Sequence, residues 1–344
     1  MFARTSLLAL AFTAISATAA PSLSLAVTGA DSVVDVTNLE ISATLTNTGD
    51  ESVKILNDPN SVINAFPANS FSIDSESGSP AFIGAHVKYS AEAAAADGAY
   101  TELAPGESVS VSHNLAASYN FTLPGETSYN FKPSPFFQVV SDSGEISTVE
   151  ASVPEVHTAK LAGTLAVARN APSKRISYNG CTSSRQSTVA TAASAANTYA
   201  SNAVSYLQGI SASTERYAYW FGAYTASRKS TVQSHYTAIA GYDFTEDYTY
   251  DCTCTESGTY AYVYPAQFGT IYLCPVFWST TTTGTDSRAG TLIHESSHFT
   301  ATAGTDDHVY GQSSAHSLAL SNPTNAIDNA DNHEYFAENT PSKA

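Results

Sequence analysis

Between residues 21 and 165, apolar and polar positions alternate in short runs. LEISATLTNTGDESVKIL and ESVSVSHNLAASYNFTL show it most clearly, with Gly, Asp, Asn and Pro at the breaks. A period of two buries one face of each strand, and regular short strands of this kind predict a β-sandwich. From about Ile176 the period changes. SSRQSTVATAASAANTYASNAVSYLQ is rich in Ala, with apolar residues at helical spacing, and a further helical stretch is predicted over roughly 214–239. Residues 248–278 turn to β-branched and aromatic types with Gly and Pro turns, which predicts short strands. The tyrosines there read as packing and as the wall of a cleft rather than as a cofactor site. Residues 289–300 return to a helix, with Leu292, Ile293 and Phe299 for burial and Asp286 near its start. The expected class is α+β: a mostly helical domain with a small β-sheet, preceded by an all-β, sandwich-like domain.

The 344 residues fit two such domains once a leader is set aside. MFARTSLLALAFTAISATAA has a basic Arg4, a short apolar core and an Ala-x-Ala end, the layout of a secretory signal peptide. Nothing later approaches the roughly 20 apolar residues of a membrane span, so a secreted product without a membrane partner is expected. A formal charge of -17 argues against nucleic acid as a partner, because phosphates would be repelled, and suits work at mildly acidic pH. A polar, Pro-containing stretch, APSKRISY, carries the dibasic pair Lys174-Arg175. It separates a cysteine-free half from one that holds Cys181, Cys252, Cys254 and Cys274. The expected division is a signal peptide at 1–19, a propeptide at 20–175 that helps folding and keeps the enzyme latent, and a catalytic domain at 176–344. In an exported chain four cysteines read as two disulfides, with three connectivities open. A four-cysteine zinc site is disfavoured, since one residue separates Cys252 from Cys254. Asn120-Phe-Thr is a glycosylation sequon. His86, His113 and His157 are scattered through the first half and read as surface or hydrogen-bonded positions rather than ligands.

The candidate chemistry lies in HESSH, at 294–298. Four apart on a helix, His294 and His298 project from one face and can grip a metal. Glu295 lies one step round, where it can act on a water rather than on the metal. A catalytic zinc takes three protein ligands and leaves one position open. The third ligand must come from downstream. A metzincin would place glycine and histidine where Ala301 and Gly304 stand, so that class fails. Glu334 is available in the manner of thermolysin. In GTDDHVYG, Gly304 permits a sharp return that offers Asp307, and His308 is a chemically valid rival.

The composite of H-E-x-x-H and G-T-x-D-x-x-Y-G resembles the signature of the aspzincins, the deuterolysin-like fungal metallopeptidases. His294, Glu295, His298, Gly304, Thr305, Asp307, Tyr310 and Gly311 all match. The resemblance implies a zincin-type catalytic domain with one Zn2+ held by His294, His298 and Asp307. It also implies Glu295 as general base and Tyr310 as donor to the oxyanion. YNGC, CTC, YAYVYP, AGTLIHESSHF and NADNHEYFAEN are similar to the fungal peptidyl-Lys metalloendopeptidases. That likeness implies disulfides Cys181–Cys252 and Cys254–Cys274. It implies, too, that Asp331 and Glu334, on one face of the final helix, bind the lysine after the scissile bond. The expected protein is then a secreted, monomeric zinc endopeptidase, cutting lysine-containing proteins and peptides on the amino side of lysine, with its own propeptide as a further partner. A deuterolysin of broad specificity is the alternative. A non-catalytic, zinc-stabilised secreted protein is a third reading, against which Glu295 and Tyr310 weigh, since a structural zinc site fills all four positions with protein ligands.

Overall fold

The computed structural model describes residues 22–167 and 177–344, so the expected leader and the Lys174-Arg175 pair lie outside the described residues. In the first half, Leu23–Gly29, Glu40–Asn47 and Ser108–Asn114 form one antiparallel sheet. A four-stranded sheet joins Ser32–Val34, His157–Ala162, Ser128–Pro133 and Phe71–Ser75. Another joins Ile146–Glu150, Phe136–Val140, Val53–Leu56 and Tyr100–Leu103. The alternation becomes burial: along Glu40–Asn47 every second side chain is buried, and Leu25, Ile41, Phe131 and Val139 from the three sheets share one core. Outward, hydroxyls pair across strands, as in Thr44 with Ser110 at 2.8 Å. One helix interrupts the all-β expectation. Ala91–Ala96 is an alanine run capped by Ser90, whose Oγ accepts from the Ala93 amide.

The second half has its own core, built largely from helices. Helix Ser183–Gly209 buries Ala192, Ala193, Ala196, Ala200 and Ala203, small side chains that let it lie close against helix Arg288–His298. The stretch expected to be helical over 214–239 is two helices, Glu215–Phe221 and Ala226–Ile239. Gly222 breaks it: its φ is 72°, and a Cβ there would stand 2.2 Å from the Ala319 carbonyl oxygen. Thr225 then caps the next helix by accepting from the Arg228 amide.

A five-stranded sheet completes this half in the order Ser177–Asn179, Thr249–Asp251, Thr270–Leu273, Thr259–Val263, His86–Tyr89. Its last strand comes from the first half of the sequence. It pairs antiparallel with Thr259–Val263, which would otherwise be an open edge. The expected separation into two halves with their own sheets is therefore incomplete: the two cores are distinct, but one strand crosses. No helix among the described residues is long and apolar enough to cross a membrane.

Cys181 pairs with Cys252 and Cys254 with Cys274, the pairing that the resemblance implies. The first closes 71 residues and fastens the start of this half to its sheet; the second closes 20. By loop-closure entropy these are worth about 4 and about 3 kcal/mol. Replacing Cys181 and Cys252 together by serine should lower the urea-unfolding free energy by more than the matching Cys254 and Cys274 double variant.

Candidate active site

Helix Arg288–His298 begins at Ser287, whose Oγ accepts from the Gly290 amide at 3.0 Å. It runs through the middle of the second core, so every residue from Ala289 to His298 is buried. The close approach to the last helix, Ala330–Glu338, requires a glycine at 290, where a Cβ would lie 2.0 Å from Glu338 Oε1. Past His298 the chain leaves the helix and turns at Gly304, whose φ is 62°. The Thr305 amide then bonds back to the Ser297 carbonyl, and Asp306 exchanges backbone bonds with Asp328 and Ala330. That return carries Asp307 to the two histidines.

Asp307 Oδ1 lies 3.3 Å from His294 Nε2, and its Oδ2 3.4 Å from His298 Nε2. These atoms are buried and have no hydrogen-bond partner. The other ring nitrogens are engaged: His298 Nδ1 with the Thr305 carbonyl at 2.8 Å, and His294 Nδ1 with Asp331 Oδ1 at 2.9 Å. Outer partners of this kind turn Nε2 toward a metal. Separations of 3.3 and 3.4 Å match the edge of a tetrahedron whose bonds are about 2.0–2.1 Å, so the three residues fit zinc. Burial opposes ionisation of Asp307, but the adjoining imidazoles hold it well below the usual carboxylate range. Glu295 is fully buried, its carboxylate unpartnered, and burial pushes it up to about 8. A dication on the neighbouring triad opposes that shift.

The two rivals for the third position lie elsewhere. His308 faces Asp328, with Nε2 3.1 Å from Oδ2. Glu334 Oε2 faces the far nitrogen of His294, Nδ1, at 3.3 Å.

Asp331 and Glu334 floor a pocket behind His294, and a side chain of this chain fills it. Lys88, from the crossing strand, is 2% exposed and the only buried lysine among the described residues. Its Nζ lies 2.5 Å from Glu334 Oε2, 3.3 Å from Asp286 Oδ1 and 3.4 Å from Asp331 Oδ1. The rings of Tyr260 and Tyr335 flank it at 4.9 and 5.5 Å. Burial works against the ammonium, yet Asp331 and Glu334 hold its pKa well above the ordinary value. One residue earlier, the Tyr310 hydroxyl donates to the Val87 carbonyl at 2.7 Å.

Four residues here escaped the sequence reading. Asp286 holds φ 49°, accepts from the Tyr335 hydroxyl at 2.7 Å and lines the pocket instead of capping the helix. Tyr260 and Tyr335 belong to runs whose aromatics mostly pack. His86, expected to be an ordinary surface or satisfied histidine, stacks on His298 with ring centroids 4.5 Å apart. No spacing links it to the 294–311 motif, because strand pairing puts it there. His113 does sit as expected, bonded to the Val62 carbonyl.

A family model for lysine-specific metallo-endopeptidases matches residues 206–338. The chain is 57% identical to a peptidyl-Lys metalloendopeptidase of Armillaria mellea, across 98% of this chain and 97% of that protein. It is 48% identical to one of Grifola frondosa, across 98% and 99%. An extracellular protease of Aeromonas hydrophila is 36% identical across 89% of each. The chain belongs to the aspzincins. As an aspzincin it is a metallo-endopeptidase, and the family implies a zinc cofactor. In this aspzincin Asp307→Ala should abolish metal retention, while His308→Ala should keep about one equivalent. Metal analysis of the purified variants checks both.

Proposed function

We propose that this aspzincin is a secreted endopeptidase that hydrolyses peptide bonds on the amino side of lysine, with one zinc ion held by His294, His298 and Asp307. The observation that carries the reading is the seat of Lys88. Its ammonium lies among Asp331, Glu334 and Asp286 while the carbonyl before it takes the Tyr310 hydroxyl. A substrate lysine placed in the same way sets the bond that precedes it against the triad. Zinc, when bound, supplies Lewis acidity and a water of lowered pKa. Glu295 takes the proton of the attacking water and passes it to the leaving amine. Tyr310 donates to the carbonyl oxygen as charge develops there, a contact worth about 3 kcal/mol in comparable sites. Asp331 and Glu334 orient His294 through Nδ1 while they hold the substrate ammonium.

The organisation proposed with it is a signal peptide at 1–19, a propeptide at 20–175 released after Lys174-Arg175, and a monomeric catalytic domain at 176–344. Neither nucleic acid nor membrane is a partner in this reading. The leader's composition and the extracellular relative support secretion.

Glu295→Gln should keep its metal and lose at least about 100-fold in turnover, the lower range for removing a general base. Substantial peptidase activity in the metal-loaded variant contradicts the assignment.

A denatured protein digested by the mature enzyme should yield peptides that begin with lysine. Arginine should serve poorly, because its broad planar fork does not match a pocket shaped for a compact ammonium. Glu334→Gln should cost about 1.5–3 kcal/mol, roughly ten- to 150-fold in kcat/KM on lysine peptides. Asp331→Asn should also weaken metal retention, since Asp331 is the nearer support of His294. Mass mapping of the digests decides specificity, and cuts scattered among apolar residues return the reading to a broad deuterolysin.

A further inference from the structure

The strand His86–Tyr89 is built into the cleft as a peptide chain. It runs antiparallel to Thr259–Val263, with Lys88 opposite Ala261 and His86 opposite Val263, and the Ser90 amide continues the pairing to the Gly258 carbonyl at 2.7 Å. Edge pairing of this kind is the way a sheet takes up an extended ligand. Gly258 permits it, because a Cβ there would stand 2.6 Å from the Ala94 side chain and 2.7 Å from the Tyr89 ring. Lys88 fills the acidic pocket and Val87 occupies the Tyr310 hydroxyl. His86 lies on the metal side. Its ring stacks on His298, its Nδ1 stands 3.8 Å from Asp307 Oδ2, and a ligand atom of each of these three residues falls within 4.8 Å of the others.

The geometry points to residues 86–89 as an internal pseudosubstrate. Lys88 plugs the lysine pocket, Val87 takes the oxyanion donor, and His86 supplies a fourth ligand to the metal, where the attacking water would have to stand. The inference rests on the proposed lysine specificity and adds how the intact chain is kept silent. Three subsites are closed by four consecutive residues. Excluding the water holds Val87–Lys88 as an inhibitor rather than a substrate.

The test uses the full chain with Lys174→Ser and Arg175→Ser, so that it stays whole, loaded with zinc and assayed on a short lysine peptide. The mature enzyme, released from the natural chain, is assayed beside it. The whole chain should be at least about 100-fold slower than the mature enzyme. Lys88→Met, which keeps the length of the side chain and removes its charge, should raise the whole chain at least tenfold. Folding of the variant is checked by placing Lys88→Met in the natural linker and releasing mature enzyme of normal activity. In parallel, the cobalt-substituted whole chain is compared with its His86→Ala form at equal metal content, and the visible absorption bands should shift as one nitrogen ligand is lost.

A Lys88→Met chain as silent as its parent beside an active mature enzyme overturns the plug. Unchanged cobalt spectra overturn the His86 ligand. Scission between Val87 and Lys88 in the otherwise intact wild-type chain, seen by intact mass, would show a substrate instead of an inhibitor. A mature enzyme that does not cut at lysine at all fails the proposed function instead, which separates the two failures.

Discussion

Four acidic side chains, Asp286, Asp331, Glu334 and Glu338, converge near the start of the metal-bearing helix, and all but Asp286 are buried. Carboxylates taken out of water are costly unless a charge or several donors compensate them. Glu338 is compensated by its neighbours on the helix, accepting from the Ser287 amide at 2.8 Å and the Ser287 hydroxyl at 2.7 Å, although burial still pushes it up to about 9. Asp331 takes the Gly311 amide at 2.6 Å. Glu334 has no such donors from the backbone, and its second oxygen is unpartnered. It needs a cation. In this chain the cation is Lys88, and the same demand makes the pocket selective for an ammonium brought by another chain.

That demand is tied to the metal side through a single ring. His294 presents Nδ1 to Asp331 and Glu334 and Nε2 to Asp307. The carboxylates that hold a lysine are therefore also those that aim a metal ligand, and selectivity and metal retention share parts. Gly290 belongs to the same arrangement. Any side chain there would push on Glu338 and Glu334 together, so the approach of the two helices, the cap on the first and the depth of the pocket are set by one missing methyl group.

Much of the molecule is legible in its residues. The period-two runs of the first half become strands with one buried face, because side chains alternate across a pleat whatever the partner strand is. The four-residue spacing of His294 and His298 places both on one helical face, as it must. Less legible was the length of a helix. The run over 214–239 keeps helical composition throughout, and only the contact of Gly222 with the Ala319 carbonyl, nearly one hundred residues on, shows why it breaks.

The sequence by itself determined the local chemistry: which stretches extend or coil, which side chains share a helix face, and a motif dense enough to name a family and, through it, a metal triad, an acidic pair and a disulfide pairing. Each depends on neighbours in the chain or on a fixed spacing. Tertiary structure alone decided that Asp286, Tyr260 and Tyr335 join Asp331 and Glu334 around one ammonium, and that His86 and Lys88, more than 200 residues before the motif, enter the cleft. A strand edge carries no address in its sequence, since any extended segment can pair with it through the backbone. Which segment does so is settled by where the two cores lie and by the buried carboxylates that only a cation can satisfy.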